Sequence, residues 1–197
     1  MTHYDSGKNE QSLTAHAAAK EKVYPEIFKG AESIDLAHQS GNMYDLRDKI
    51  DVKARVKWPG HKFETVYTIQ ERWRAIEYER YADITITAYN TMTNTPVEYY
   101  EGIMQYFLYG YYDAEKSKFG HVVLIDFARL RYLNNRGILK QSGANNNKGL
   151  KNQDFVCFSF KDLNLHDCIL WSNKVMVNGE NDMIVDYWKR LWFLSKK

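Results

Sequence analysis

Cysteine is scarce in this sequence, and the residue types that bind transition metals are scattered. The 197 residues include two cysteines, Cys157 and Cys168, and six histidines. The cysteines have no CxxC or Cys/His spacing and the histidines form no HxH or HxxxH pair, so the sequence gives no support for a zinc site. We expect both cysteines to be buried thiols in a reducing compartment.

Long apolar runs and a strong net charge are also missing. No segment approaches the ~20 consecutive apolar residues that span a membrane, and the polar N-terminus MTHYDSGKNEQS lacks the apolar core of a signal peptide. We therefore expect a soluble, cytoplasmic protein with no membrane partner. The formal net charge is only +2, so binding to nucleic acid would depend on a local basic patch rather than on overall charge.

The chain does have the composition and length of one globular domain. Hydrophobic residues make up 44% of it, aromatic residues 15% and charged residues 26%. We assign the domain to residues 12–197 and expect residues 1–11 to form a disordered tail. The segment 141–153, rich in asparagine and glycine, is expected to be a mobile loop.

Apolar periodicity and turn signals predict an α/β (α+β) domain. Helices are predicted from Ser12 through LTAHAAAKEKVY, in PEIFKGAESIDLAHQ, in VEYYEGIMQYFLYGYY with Thr95 as its cap, and in MIVDYWKRLWFL near the C-terminus. Strands are predicted for a hairpin within 49–74 and for 81–90, 121–127 and 154–160, with Asp126 capping the helix that follows. This order predicts one domain with a mixed central sheet flanked by helices.

The hairpin is the most informative segment. The stretch KIDVKARVKWPGHKFETVYTIQERWR, residues 49–74, alternates apolar and polar residues on both sides of a PGH break. This alternation predicts two antiparallel strands with one face on the core. If Gly60 and His61 form the turn, Asp51 lies opposite Gln70. A slip of one residue would place apolar residues opposite charged ones, so this register is favoured.

The polar face of the hairpin predicts that Asp51, Gln70 and Arg72 converge. An acid on one strand, with an acid or amide, a spacer and a cation on its antiparallel neighbour, is the pattern of a metal-dependent nuclease. Magnesium takes oxygen ligands, usually one or two carboxylates with water and substrate phosphate. The ion polarises the phosphate and activates a water molecule, and a nearby cation stabilises the charge that develops on the phosphate.

The hairpin and its surroundings, roughly residues 20–133, resemble the PD-(D/E)XK nuclease superfamily, which includes many restriction and repair endonucleases. The resemblance implies a restriction-endonuclease-like fold and Mg²⁺- or Mn²⁺-dependent hydrolysis of phosphodiester bonds in DNA. By position, Asp51 takes the place of the family's metal-binding aspartate, Gln70 that of its second acid, and Arg72 that of its lysine. Glu26, on the preceding helix, matches an acidic residue that some members place there and would be a further metal ligand.

Two residues depart from the family pattern. Gln70 is neutral where most members have a carboxylate, which would weaken metal binding, and arginine at position 72 cannot give up its proton to act as a base. Glu71 is a further catalytic candidate, as the spare carboxylate. Strict alternation points Glu71 to the apolar face, and a bulge near residue 70 would turn it toward Asp51.

The cations near this site predict contacts with DNA. Lys53, Arg55, Lys57 and Arg74 are expected to hold the phosphate backbone, a type of contact that gives affinity without sequence specificity. Many nucleases of this kind need two sites to cut both strands, and a homodimer would provide them.

Two other interpretations stay open beside the nuclease. The protein could be a noncatalytic nucleic-acid-binding or assembly protein on the same fold, with Gln70 and Arg72 as signs of a lost active site. Alternatively, the hairpin could be a solvated sheet face with cross-strand ion pairs. In that case the function would lie in the Asn-rich loop or in the C-terminal aromatic residues.

Overall fold

A mixed six-stranded sheet forms the centre of the computed structural model, which describes residues 4–38, 49–142 and 153–174. The strands are β1 (Ser33–His38), β2 (Val52–Lys57), β3 (Thr65–Ala75), β4 (Asp83–Asn90), β5 (Thr95–Pro96), β6 (Tyr106–Asp113), β7 (Lys118–Asp126), β8 (Gln153–Ser159) and β9 (Ile169–Ser172). The helices are α1 (Tyr4–Lys22), α2 (Tyr24–Ile27), α3 (Glu98–Glu101), α4 (Phe127–Asn135) and α5 (Phe160–Leu165), with a 3-10 helix at Ile76–Tyr81.

The strand order of the central sheet is β1-β2-β3-β6-β7-β9. Neighbouring strands are antiparallel except for β3 and β6, which are parallel. Between β3 and β6 the chain forms the 3-10 helix, β4, β5 and α3, and β4 pairs with β5 and β8 in a second, three-stranded sheet. The expected α+β class with a mixed central sheet is therefore confirmed.

Both sides of the central sheet are covered by apolar layers. On one side, here called the helix side, α1 and α2 pack on alternate residues of β2 and β3, among them Val52, Ala54 and Ile69. On the other, here called the second-sheet side, residues of β4, β8, α4 and α5 pack on Phe107 and Tyr109 of β6. The sheet thus has helices on one side and a second sheet with short helices on the other.

The hairpin register is confirmed, although the predicted turn residues are wrong. Val52 pairs with Ile69, as the predicted register requires, and the ladder ends there, so the predicted pair of Asp51 and Gln70 does not form. The turn is centred on Pro59 and Gly60, because His61 N donates to Trp58 O (3.1 Å) and Gly60 has a φ of 76°. Proline and glycine suit the two central positions of a type II turn. The pair next to the loop, Val56 and Thr65, is nevertheless centred between residues 60 and 61, as predicted. The register of the hairpin is therefore the predicted one.

The long helix predicted for VEYYEGIMQYFLYGYY is wrong. Only its start forms a single helical turn, α3, and the remainder is the central strand β6. Residues 107–112 of β6 are buried on both faces, so no polar alternation marks the segment as a strand. Thr95 does not cap this helix, since it lies in β5 opposite Asn90.

Two other helix predictions need correction. The segment PEIFKGAESIDLAHQ is helical only as far as Ile27, the chain turns at Gly30 with a φ of 91°, and β1 follows. The helix predicted to begin at Ser12 already begins at Tyr4, so residues 4–11 of the predicted disordered tail are helical.

Several other predictions are confirmed. The strands predicted around 81–90, 121–127 and 154–160 correspond to β4, β7 and β8. Asp126 caps α4 by accepting a hydrogen bond from Arg129 N (2.9 Å). Cys157 and Cys168 are buried and not joined in a disulfide.

The rest of these predictions fall outside the described residues or concern the membrane. Most of the loop predicted at 141–153 and the whole helix predicted in MIVDYWKRLWFL lie outside the described residues. Among the helices that are described, none combines the length and apolar character needed to span a membrane.

Candidate functional site

The polar face of the hairpin is divided into an open half and a covered half. On the second-sheet side of the sheet, β2 presents Lys53, Arg55 and Lys57, here called the cation row. In the same register β3 presents Gln70, Arg72 and Arg74 to that side. The second sheet and α3 lie against the Arg72 end of this face, whereas the cation row lies beyond them.

The cation row forms the open half. Arg55 is exposed, Lys53 and Lys57 are partly exposed, and Val66, which pairs with Arg55, is 48% exposed. Lys57 donates a hydrogen bond to the carbonyl oxygen of His61. On β1, Asp35 is the residue opposite Arg55 and adds one acid to the face. The row therefore presents more positive than negative charge to the solvent.

Arg72 belongs to the covered half, where it pairs with the buried Glu98 of α3. Its Nη2 atom donates to Glu98 Oε2 and to Thr87 Oγ1 (3.1 Å). The backbone amide of Thr87 donates to the same carboxylate oxygen (3.2 Å). Glu98 is only 5% exposed, so Arg72 compensates a carboxylate that would be costly to bury unpaired.

Arg74 is also used within the protein. Its Nη1 atom donates to the Tyr109 hydroxyl (3.2 Å) and lies 3.6 Å from Asp83 Oδ1. The guanidinium group also stacks over the Tyr78 ring, 4.5 Å from the centroid. Burial raises the pKa of the Asp83 carboxyl, and the charge of Arg74 acts in the opposite direction. The sequence predicted that Arg74 would contact phosphate, but its contacts join the two sheets.

Asp51 departs from the predicted alternation. Ile50 packs on the second-sheet side and Val52 on the helix side, so the alternation is broken at Asp51, just before β2. Asp51 N donates to Ile69 O (3.0 Å), and Asp51 Oδ2 accepts from Glu71 N (2.8 Å). The Asp51 carboxylate therefore replaces a backbone carbonyl as the acceptor for the amide of Glu71, at the end of the β2–β3 ladder.

Glu71 is enclosed on the helix side, next to Ile69. Its side chain has no exposed surface and receives three donors. Tyr24 Oη donates to Oε1, while Trp73 Nε1 (2.9 Å) and His16 Nδ1 bond Oε2. The pairing of β3 with β6 runs through Glu71 without a shift, so the bulge that would have turned Glu71 across the sheet is absent at this position.

The hydroxyl of Tyr24 lies near both acids. Burial raises its pKa well above the ordinary value, the charge and hydrogen bond of Glu71 raise it further, and the charge of Asp51 adds to the effect. Asp51 is thus joined to Glu71 and Tyr24, whereas Arg72 is joined to Thr87 and Glu98. The predicted convergence of Asp51, Gln70 and Arg72 is corrected accordingly: Gln70 and Arg72 share a face, but the contacts of Asp51 tie it to Glu71.

The metal ligands predicted from the sequence do not form one set. Glu26 is exposed on α2, which packs on the helix side, while Gln70 points to the second-sheet side. The sheet therefore separates Glu26 from Gln70. Within residues 4–38, 49–142 and 153–174, no group of three or more His, Cys, Asp or Glu side chains is arranged to hold a metal ion. Asp51, Gln70 and Glu26 together do not fit a single ion.

Two buried oxygens on the second-sheet side lack a hydrogen-bond donor. Gln70 Oε1 and Glu98 Oε1 have no hydrogen-bond partner among the described residues. Asp83 Oδ1 also lacks a hydrogen bond but has Arg74 at ion-pair distance. A buried acceptor without a donor costs about 1–3 kcal/mol, so a water molecule or an ion is expected beside each. Amide and carboxylate oxygens are among the ligands that divalent hard cations take.

Two residues of these clusters were not found from the sequence. Glu98 follows Pro96 and Val97 and looked like an acid in the first turn of a long helix. His16 is a single histidine in an alanine-rich helix, and it meets Glu71 only through a contact between distant parts of the chain. The local sequence carries no signal for His16. For Glu98, the signal was an acid between a strand-like segment and an aromatic run.

Comparisons with known proteins add little. No protein-family model matches the chain, and no curated protein matches it. Among solved structures, the chain is similar to a nuclease from a fusselovirus, with 12% identity and a TM-score of 0.35 over 85% of this chain and 94% of that one. A likeness at this level assigns neither a site nor an activity to this chain.

Proposed function

We propose that this protein is a metal-dependent nuclease that acts on DNA. One observation carries the proposal: Gln70 and Arg72 share a face of the hairpin with the open cation row of β2. A phosphate backbone bound along the cation row would pass beside an amide oxygen and a guanidinium group. These are the residue types that hold a hard cation and stabilise charge on phosphate.

Each residue has a distinct role in this proposal. The cation row holds the DNA backbone, and Gln70 offers an oxygen to a Mg²⁺ or Mn²⁺ ion, which would polarise the phosphate and activate water. Arg72, held by Thr87 and Glu98, stabilises negative charge on the phosphate and does not act as a base. Asp51 has no role on this face, because its carboxylate accepts from Glu71 N and lies near Tyr24 on the helix side.

The test of cleavage is best made with Gln70→Ala, which removes the amide oxygen proposed to hold the ion. We expect Mg²⁺- or Mn²⁺-dependent DNA cleavage by the wild type, abolished by a chelator and strongly reduced in Gln70→Ala. Asp51→Asn is the matched control, because it removes a charge on the helix side while its amide oxygen can still accept from Glu71 N, and it should cleave like the wild type. Equal cleavage by both variants would remove Gln70 from the site.

A second candidate function is noncatalytic binding of nucleic acid on the same surface. The observation that favours it is that the motif residues already have partners, since Arg72 pairs with Glu98 and Asp51 with Glu71. In this case the cation row would bind the DNA backbone and no metal would produce cleavage.

Salt-dependent DNA binding tests the surface that both candidates share. Replacing Lys53 and Arg55 with alanine should weaken binding and reduce the slope of log K against log salt by about two, at roughly 0.9 per lost phosphate contact. The control replaces Lys20 and Lys29, exposed cations that precede β1, and should leave the slope unchanged. Fluorescence anisotropy with a labelled duplex measures both. If the two double variants bind alike, the cation row is not the DNA-binding surface.

A further inference from the structure

We infer that Glu98 and Gln70 together provide the protein ligands of a divalent-cation site at the boundary between the two sheets. The inference rests on the proposed nuclease function and names the metal ligands for it. Glu98 lies outside the motif that the sequence suggested, and it supplies the carboxylate that the neutral Gln70 lacks.

The two oxygens of Glu98 are in different situations. Oε2 accepts from Arg72 and from the backbone amide of Thr87, which fixes the position of the carboxylate. Oε1 has no donor among the described residues, and it is buried in a residue that is only 5% exposed. A fixed carboxylate with one oxygen lacking a donor needs a partner that is absent from these parts of the chain, and a cation would satisfy that need.

Gln70 has a matching oxygen on the same side of the sheet. Gln70 and Arg72 are two residues apart on β3, so their side chains leave the strand in the same direction. Arg72 holds Glu98, and the ion pair therefore brings the α3 carboxylate to the part of β3 that carries Gln70. Gln70 Oε1, like Glu98 Oε1, is buried and has no hydrogen-bond partner in the described part of the chain.

The charges of the site set its expected strength. One carboxylate and one amide give a weaker site than two carboxylates, and the charge of Arg72 weakens it further. Magnesium and manganese commonly complete their coordination with water and substrate phosphate. A weak protein site beside the cation row would therefore bind its ion more tightly when DNA is present.

Binding of Mn²⁺, followed by electron paramagnetic resonance without DNA, tests the inference apart from activity. We expect the wild type to bind Mn²⁺ and Glu98→Gln to bind it about tenfold or more weakly. Glu101→Gln changes an exposed acid of the same short helix and should bind like the wild type. If the wild type binds no Mn²⁺, or Glu98→Gln binds it equally well, the inference is wrong and the two oxygens are satisfied by water.

A gain of affinity covers the case in which Glu98→Gln fails to fold. Gln70→Glu replaces the amide with a second carboxylate and should tighten Mn²⁺ binding by about tenfold if the side chain is a ligand. The matched control is Gln105→Glu, which adds the same charge at an exposed position bonded to Thr68 of β3. Equal effects of the two variants, or no tightening by Gln70→Glu, would contradict the inference.

The inference and the proposed function fail in different ways. If Glu98→Gln loses Mn²⁺ binding but the wild type does not cleave DNA, the cation site is supported and the nuclease function is wrong. If a folded Glu98→Gln variant still cleaves DNA in a chelator-sensitive way, the nuclease function is supported and Glu98 is not a ligand of its metal ion.

Discussion

Asp51 accepts a hydrogen bond from the backbone amide of Glu71, 2.8 Å away across the end of the β2–β3 ladder. The sequence had placed these two acids on opposite faces of the hairpin. The bond brings Asp51 to the same hydroxyl, that of Tyr24, which Glu71 binds. Since His16 of α1 also bonds Glu71, the acids on the helix side join two helices to the sheet, while the proposed chemistry lies on the other side.

Replacing Glu71 with alanine should destabilise the fold strongly. The change leaves His16, Tyr24 and Trp73 without the acceptor that they share and opens a cavity. A buried donor left without its acceptor costs about 1–3 kcal/mol, and because three donors are affected we expect a loss of unfolding free energy of about 3 kcal/mol or more. Urea denaturation measures it. Glu64→Ala, at an exposed position just before β3, is the control and should change stability by about 0.5 kcal/mol or less.

Arg72 and Glu98 should show strong coupling in a double-mutant cycle. Arg72→Ala leaves the buried Glu98 without its ionic partner, and Glu98→Ala does the same to the partly buried Arg72. Removing one partner of a buried ion pair costs about 3–5 kcal/mol. The double variant should be less destabilised than the sum of the two single variants, because neither charge is then left alone. Chemical denaturation of all four proteins gives the coupling. Additive losses would show that the ion pair does not carry the packing of α3 on the sheet.

The sequence was sufficient for features that depend on local alternation and insufficient for those that depend on distant contacts. The register of β2 and β3 follows from matching apolar faces and is correct, with Val52 opposite Ile69. Strand β6 was mistaken for a helix because apolar layers on both faces remove its polar alternation. The spacing of Phe107 and Tyr111 suits a helix equally well.

The candidate site shows the same limit. The shared face of Gln70 and Arg72 was predictable from the two-residue period of the strand. The break at Asp51 was not, because it depends on the packing of Ile50 against the second-sheet side. Glu98 reaches Arg72 only because the chain between β3 and β6 folds into a second sheet.

Gly110 should not tolerate a side chain. It lies in β6, and a Cβ atom there would be 2.7 Å from Trp73 Cζ3 and 2.9 Å from a Val122 methyl carbon. Both neighbours are held in the packed core, so Gly110→Ala should overpack the helix side and cost about 1–3 kcal/mol. Thermal or urea unfolding checks this. Stability equal to that of the wild type would mean that Trp73 can move without loss, contrary to its bond with Glu71.

Acid should destabilise the protein partly through His121. Burial, and to a lesser extent the charge of Lys174, lower the pKa of its imidazole to about 4, although the charge of Glu79 acts in the opposite direction. The ring lies against Phe160, with centroids 4.6 Å apart, and its Nε2 atom is 2.8 Å from Ser172 Oγ. The folded protein therefore keeps this histidine neutral at pH values where an unfolded chain, with a histidine pKa of about 6.5, has already bound a proton.

The sign of the pH effect follows from this difference. Between about pH 6.5 and pH 4 the unfolded chain binds more protons at this residue than the folded protein, so stability falls as the pH falls through this range. Above about pH 6.5 both states are neutral and the contribution is constant. Because carboxylates also titrate at low pH, the measurement compares wild type with His121→Gln, whose backbone amide can still donate to Glu79. We expect urea denaturation at several pH values to give a shallower loss of stability in the variant, and parallel curves would contradict the prediction.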